Sequence, residues 1–501
     1  MRKIFQFLFL LYSSMLLSQT VLNSYPIVIN PSKGDNQKPN IDKFRTLNEI
    51  LLYSTSDFNN STESNQILNA ENESTHEVFV FVKEKGKITI LKYNSALFLS
   101  RDYVFPLENL ENKLIEGYSF LENGNPILYL SSGGFKDISA MIYDLENKKY
   151  EMLNFTFPIS SKSKHVVTTF QMNNSFNILL KDSNKPLLNV YTFKHEKAGK
   201  RVYDFSSFTF RDKNSKVIPF NLLVIQNPIE KIDINDYNPL YKVTKKSKVY
   251  INKGHMILTF DQNPKETQLF DLNFENLNIN EKKITQSKID NPKTLSNSFL
   301  YDDKLYQINA SESKLSLEIK DYNSGQTIKN ASVSFNEEIK FKNSPLFIQK
   351  ENYKPKELKT TKKFLQHLSF LDVGLSVIKN SQNTVFTLGG TPKNNIPVNF
   401  HTNQTSLKNS ISQDSIYSNQ DNFAAQNHAE NVFFSSLLDR NFEFVNHEQE
   451  PLAIDKLYYF LDTLKKVSLS NVLKYKDYYI LSYYDEKAKQ FVMRKFTDGF
   501  N

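Results

Sequence analysis

No cysteine occurs in the 501 residues, so neither a disulfide nor a thiolate metal site can contribute to this protein. Stability must come from burial and backbone pairing. Only 13 glycines are present, and they assemble no Gly-x-Ser-x-Gly elbow, no glycine-rich phosphate loop and no dinucleotide fingerprint. That argues against nucleotide chemistry. The eight histidines, at 76, 165, 195, 255, 367, 401, 428 and 447, show neither His-x-His nor His-Glu-x-x-His spacing, so we expect no bound metal and no cofactor. The stretch KIDINDYN, with Asp233, Asn235 and Asp236, has a partial likeness to a calcium loop. It lacks the glycine of the sharp turn and the distal glutamate, and reads as a turn.

Long apolar runs are missing beyond the start of the chain. There, Arg2 and Lys3 precede an apolar stretch over residues 4–17, and Ser18 and Gln19 follow it, the pattern of a cleavable export signal over residues 1–19. The run is shorter than the roughly twenty residues that cross a bilayer, so no span is expected after cleavage. The net charge of +8 falls to +6 without Arg2 and Lys3. Basic residues cluster at 242–253 and 350–363, which read as solvated loops, and neither run carries the interleaved aromatics of a nucleic-acid platform. We expect no nucleic-acid partner.

What the chain does have is short apolar strands bounded by Asn, Asp, Gly, Lys and Ser. The clearest, VFVFVKEKGKITILKY at 78–93, sets Val78, Val80 and Val82 on one face and Phe79 and Phe81 on the other, with a turn near 84–86. Both faces need cover. Similar hairpins follow at 141–152 with a turn at 146–148, at 188–205 with a turn near 197–199, at 268–284 and at 315–335. A shorter strand precedes each, at 126–130, 176–180, 255–260 and 304–308. Tyr143, Tyr191, Phe270 and Ile319 hold comparable positions, separated by 48, 79 and 49 residues.

A period near fifty with about four strands resembles the blade of a β-propeller, which buries its two faces only against neighbouring blades. The 26 tyrosines and 40 phenylalanines suit the space between blades. This likeness implies an all-β fold: an irregular propeller of about six to eight four-stranded blades over residues 46–501, after a flexible lead-in at 20–45. Two β-sandwich domains with an accidental spacing are the alternative. Tryptophan is absent, so the Trp-Asp and Trp-bearing Asp-box repeats of familiar propellers are missing. The Gly-Gly pairs at 133–134 and 389–390 resemble the start of a kelch repeat, but the Tyr and Trp that should follow are not there. They read as tight turns after inner strands.

Two segments depart from the repeat. Residues 391–450 form a long insertion whose polar tract is rich in Asn, Gln and Ser, and residues 451–467 read as an amphipathic helix from Ile454, Leu457, Tyr458, Leu461 and Leu464. A last hairpin over 478–484 and 491–496 is expected to join the first blade and seal the ring. The composition and the Ser-Gln end of the leader resemble exported proteins of low-GC Gram-negative bacteria. These features imply a periplasmic, outer-membrane-associated or extracellular, non-catalytic binding or scaffold protein of the cell envelope, whose partner is an envelope protein or a glycan. No catalytic residue can be assigned. The alternative is a glycan hydrolase or lyase with carboxylates at the propeller mouth, for which Asp144, Asp236, Asp302 and Asp303 are available.

Overall fold

The computed structural model describes residues 19–29, 65–132, 135, 137–155, 164–252, 254–287, 293–350, 355–380, 382–393, 430–447, 449–463 and 467–499. Among these, seven sheets of four or five strands stand in a ring. The chain begins with β1 (Gln19–Pro26) and then builds blade 1 from β2 (Gln66–Asn72), β3 (Glu77–Glu84), β4 (Lys87–Tyr93) and β5 (Leu99–Pro106). Blade 2 holds β6 (Leu114–Phe120), β7 (Pro126–Ser131), β8 (Ile138–Asp144) and β9 (Lys149–Phe155). Blade 3 holds β10 (Lys164–Gln171), β11 (Phe176–Asp182), β12 (Leu187–Lys194) and β13 (Lys197–Asp204).

Between blades 3 and 4 lie a two-stranded hairpin, β14 (Phe210–Arg211) and β15 (Val217–Ile218), and a helix, α1 (Phe220–Gln226). Blade 4 has five strands: β16 (Ile229–Ile232), β17 (Ser247–Asn252), β18 (His255–Phe260), β19 (Glu266–Asn273) and β20 (Ile279–Thr285). Blade 5 holds β21 (Leu295–Tyr301), β22 (Lys304–Ala310), β23 (Lys314–Asp321) and β24 (Thr327–Ser334). Blade 6 runs in the order β26-β25-β29-β28-β27, from β25 (Leu346–Lys350), β26 (Lys356–Leu358), β27 (Asp372–Lys379), β28 (Thr384–Thr391) and β29 (Glu430–Leu438). Blade 7 holds β30 (Val467–Tyr475), β31 (Tyr478–Asp485) and β32 (Gln490–Phe496), and β1 completes it by pairing antiparallel with β32.

The alternation read at 78–82 is the organising device. Val78, Val80 and Val82 pack with Tyr475, Ile480, Phe491 and Met493 of blade 7, whereas Phe79 and Phe81 pack with Phe120, Leu128 and Leu130 of blade 2. The same pattern continues around the ring, with separate clusters between blades 2 and 3 and between blades 3 and 4. One larger cluster spans blades 4, 5 and 6, and another joins blades 6 and 7. Every blade therefore covers its neighbours, at roughly 1.5–3 kcal/mol for each large apolar side chain removed from water. Tyr143, Tyr191, Phe270 and Ile319 all fall on the next-to-last strand of their blades, the third of four in blades 2, 3 and 5 and the fourth of five in blade 4. The longer gap of 79 contains β14, β15, α1 and a crossover described below.

Several expectations change. QTVLNSYP, assigned to the lead-in, is strand β1; its Asn and Ser masked the pairing with β32. The last hairpin seals the ring not by joining blade 1 but by forming blade 7 with β30 and β1. Within the 391–450 insertion, residues 430–438 form β29, and the helix expected at 451–467 is α4 over Ala453–Thr463. A further helix, α3 (Thr361–Leu368), escaped notice; it buries Phe364, Leu365 and Leu368 and is capped by Thr360 Oγ1, which accepts from Lys363 N. The β12–β13 turn falls at His195 and Glu196, with Gly199 three residues beyond it inside β13, because cross-strand burial of Phe193 sets the register. Residues 394–429 lie outside the described residues, as do Gly133 and Gly134 and the apolar stretch Leu47–Tyr53, which the sequence offers as a strand or short helix.

Gly389 and Gly390 are not a turn. Both sit inside β28, where a Cβ on Gly389 would collide with the Val432 carbonyl oxygen of the paired strand β29. Gly199, in β13, meets nothing within 4 Å. Gly389→Ala is therefore expected to cost more than about 2 kcal/mol, and Gly199→Ala to stay within about 0.5 kcal/mol of the parent, in urea unfolding. Equal effects at the two positions would contradict this packing.

Candidate functional site

The first strands of the blades line the axis: β2 touches both β30 and β6, β10 touches β6 and β16, and β21 touches β27. Blade 4 interrupts this regularity. Its β16 runs parallel to β17, and a parallel pair requires a crossover, supplied here by residues 233–246 with a short helix, α2 (Leu240–Val243). The crossover leaves blade 4 along the inner side of the ring and docks on blades 6 and 7. Ser376 Oγ on β27 donates to Asn238 O at 2.5 Å, and Tyr479 Oη on β31 donates to Asp236 Oδ1. Thr244 Oγ1 and Thr391 Oγ1 are 3.0 Å apart. Gly374 on β27 makes the fit possible, since a Cβ there would lie 2.8–2.9 Å from the backbone of Val243 and Thr244.

Asn238 holds the turn of this crossover, accepting from Asp233 N at 3.0 Å and donating to Asp233 O at 2.8 Å and Asp236 O at 3.0 Å. The KIDINDYN turn is thus real, and its Asn238 does the work that a metal ion would do in a calcium loop. Tyr237 beside it packs on the cluster of Val385, Leu437, Leu457 and Tyr479. Burial pushes the Asp236 carboxyl up despite the Tyr479 hydroxyl. Glu230 and Asp233 remain partly open to solvent. Lys242 Nζ stands 4.0 Å from Glu230 Oε1, and Lys231 Nζ 3.0 Å from Asp233 Oδ1. Burial raises the Glu230 carboxyl in spite of Lys242; at Asp233 burial acts the same way, but Lys231 and Lys242 outweigh it and leave the group below its ordinary value.

The acids available from sequence do not converge. Asp144 closes the β8–β9 turn, accepting from Asn147 N at 3.2 Å and Asn147 Nδ2 at 2.7 Å. Asp302 and Asp303 form the β21–β22 turn with φ of 49° and 55°. Asp236 belongs to the crossover. Among the described residues no three His, Asp or Glu side chains are placed to hold one metal ion. His255 pairs with Asp271 at 2.7 Å and His76 with Glu71 at 2.9 Å; His401 and His428 lie outside the described residues.

The basic run at 242–253 is not a solvated loop. Lys248 is fully buried in β17 with Nζ 3.1 Å from Asp261 Oδ2 and 2.6 Å from Asn297 Oδ1, between blades 4 and 5. Asp261 also accepts from Thr267 Oγ1 at 2.8 Å and from Ser298 N and Oγ at 3.1 and 2.8 Å, so both charges have partners where water is excluded. Burial pulls the Lys248 ammonium below its ordinary value, against the pull of Asp261. A sequence scan for charge runs could not see this, because the partners come from other strands and another blade.

A cleft of about 310 Å³ opens between blades 3 and 4. Met172, Asn173 and Ser175 of the β10–β11 turn form one wall, Gly254, Phe274 and Glu275 of blade 4 the other, with Asn177, Thr192, Lys194 and Arg201 between them. Asn177 is wholly buried. Its Nδ2 donates to Ser175 O, and its Oδ1 accepts from Thr192 Oγ1 at 2.7 Å. Arg201 Nε donates to Phe274 O at 2.8 Å and Nη1 to Thr192 Oγ1 at 2.9 Å. The polar floor is consequently rigid.

No family model matches this chain, and no curated protein does. Solved structures similar to it include the WD40 domain of SCAP from fission yeast, at 10% identity, covering 86% of this chain and 87% of that one, with a TM-score of 0.29. The β-propeller domain of Nup133 from Vanderwaltozyma polyspora gives 10% identity, 54% and 75% coverage and a TM-score of 0.23. A prolyl endopeptidase gives 7% identity, 86% and 47% coverage and a TM-score of 0.32, so this chain spans less than half of that enzyme. The ring itself rests on the strand pairing described above.

Two outcomes test the buried charges. Lys248→Met leaves Asp261 buried without its cation and should destabilise by about 3–5 kcal/mol in urea unfolding; a loss under 1 kcal/mol would mean the pair is not excluded from water. Glu116, on the inner strand β6, accepts from Ser131 Oγ at 3.1 Å, yet burial pushes its carboxyl up to about 7. The folded state then keeps a proton that the unfolded chain has lost between about pH 4.5 and 7, so stability falls as pH rises through that window. Glu116→Gln should match the parent at pH 4 and exceed it by about 3 kcal/mol at pH 8. A parent whose stability does not fall between those pH values would overturn the assignment.

Proposed function

We propose that this chain is an exported, non-catalytic binding or scaffold protein of the cell envelope, offering its propeller faces and the 391–450 segment to an envelope protein or glycan. The observation that supports this reading best is the fate of the axis. A propeller that catalyses at its centre needs its reacting groups free in an open mouth, whereas here residues 233–246 lie against β27 of blade 6, and Asp236 is committed to Tyr479 on β31 of blade 7. The leader-like residues 1–19 motivate export, and β1 starts at Gln19, where that leader was expected to end.

One observation favours the enzymatic alternative. Glu230 and Asp233 stand close in sequence at the axis with carboxyl groups shifted in opposite directions, the division of labour that an acid and a base require in glycan cleavage. Their lysine partners count against it, because Lys242 and Lys231 already neutralise them.

Expression of the full chain in a Gram-negative host followed by fractionation and N-terminal sequencing is expected to give an envelope protein beginning at Thr20. Recovery from the cytosol with Met1 in place would refute export. Incubation with a panel of envelope glycans is expected to release no product; turnover abolished by Glu230→Gln would establish the enzyme reading instead.

A further inference from the structure

The cleft between blades 3 and 4 is a built site, and its chemistry indicates what fits it. Along β12 and β13, Thr192 and Lys194 face the same side as Val190, which is packed toward blade 4, and Gly199 and Arg201 stand opposite Thr192 and Val190. That face thus presents the hydroxyl of Thr192, the ammonium of Lys194 with Lys197 paired to it at the hairpin end, the empty place of Gly199 and the guanidinium of Arg201. Gly199 supplies the empty place, since nothing lies within 4 Å of where its Cβ would be. With a larger residue there, the side chain would project toward the cleft.

Arg201 is the centre of the site. Its Nε and one N–H of Nη1 are spent on Phe274 O and Thr192 Oγ1, which lock the guanidinium plane, and its carbon lies 5.8 Å from the Phe274 ring centroid. The Nη2 edge makes no hydrogen bond among the described residues. Neither Arg201 nor the exposed Lys194 has an acidic partner among them. Glu275, the one acid of the lining, is exposed at the rim and forms no ion pair among the described residues. A fixed guanidinium edge with a second cation beside it suits a carboxylate, and a nearby carboxylate acceptor suits hydroxyl donors on the same ligand. The volume of about 310 Å³ stands at the small end of small-molecule sites, which run from about 300 to 1,000 Å³.

We propose that this cleft binds an acidic sugar residue of hexuronic-acid type, its carboxylate on Arg201 and Lys194 and its ring hydroxyls toward Glu275 and Asn173. This deepens the binding-protein reading and rests on it for the supply of glycan, but the cleft is tested independently of export or of any protein partner.

The test is calorimetric titration of the purified full chain with glucuronate, with glucose and sulfate as probes of the neutral sugar and of the bare anion, and with a pectin-derived oligouronide as the polymeric source. Glucuronate is expected to bind at least about tenfold more tightly than either glucose or sulfate, the loss expected when a charge-assisted hydrogen bond or the hydroxyl contacts are missing. Tighter binding of the oligouronide than of glucuronate would assign the site to a polymer, and equal binding to the single residue; both support it. Arg201→Gln and Lys194→Ala should each weaken glucuronate about tenfold, and Gly199→Phe should abolish binding while leaving the unfolding midpoint unchanged, which separates loss of the cleft from loss of the fold. No heat with glucuronate, equal affinity for sulfate or glucose, or full binding by Gly199→Phe would overturn the proposal. A failure here with an envelope location intact would leave the scaffold reading standing.

Discussion

Strands that are apolar on both faces cannot rest against water on either, and this requirement governs the whole molecule. Phe79 and Phe81 on one side of β3 and Val78, Val80 and Val82 on the other admit only a structure in which each sheet has two neighbours. A linear stack would leave two outer sheets uncovered. The ring leaves none, and it explains why the described residues can share one architecture without disulfides.

The parts of this fold that were legible in the sequence are those fixed by local alternation. The strands at Tyr143, Tyr191, Phe270 and Ile319 follow from a pattern of five to eight residues and a turn, and such patterns survive in a single chain. What was not legible depends on partners far apart. Asn238 and Ser376 are 138 residues from one another, and Asp236 and Tyr479 are 243 apart, so KIDINDYN reads as a turn and nothing in it announces its partners on two distant blades. β1 was lost for a related reason: QTVLNSYP is too polar to declare itself until β32 is beside it.

Glycine gave misleading punctuation. Gly199 and the pair Gly389 and Gly390 looked like turns, yet all three lie in strands, Gly199 where space is left open, Gly389 where the paired strand approaches too closely for a side chain, and Gly390 where the Leu368 and Leu371 side chains do. Sequence distinguishes a scarce glycine from a common one but not a hole from a close contact. The candidate cleft was invisible on the same ground, being assembled from Asn177, Thr192 and Arg201 on three strands with Phe274 from the next blade. Lys248 shows the converse error, since a lysine inside a basic run was read as solvated while Asp261, thirteen residues on, drew it into the interior.

The pairing of β1 with β32 has a consequence for the order in which the molecule can be made. Gln19 meets Phe496, and Pro26 meets Gln490, so the first strand to leave the ribosome is among the last to find its place. Blades 1 to 6 can zip up in sequence as they emerge, each on the flank of the one before. The seventh waits for β32, with one flank of blade 1 bare and the Val78, Val80 and Val82 face unshielded until then. A chain cut short before β32 is therefore not a smaller version of this protein but an open arc with adhesive ends.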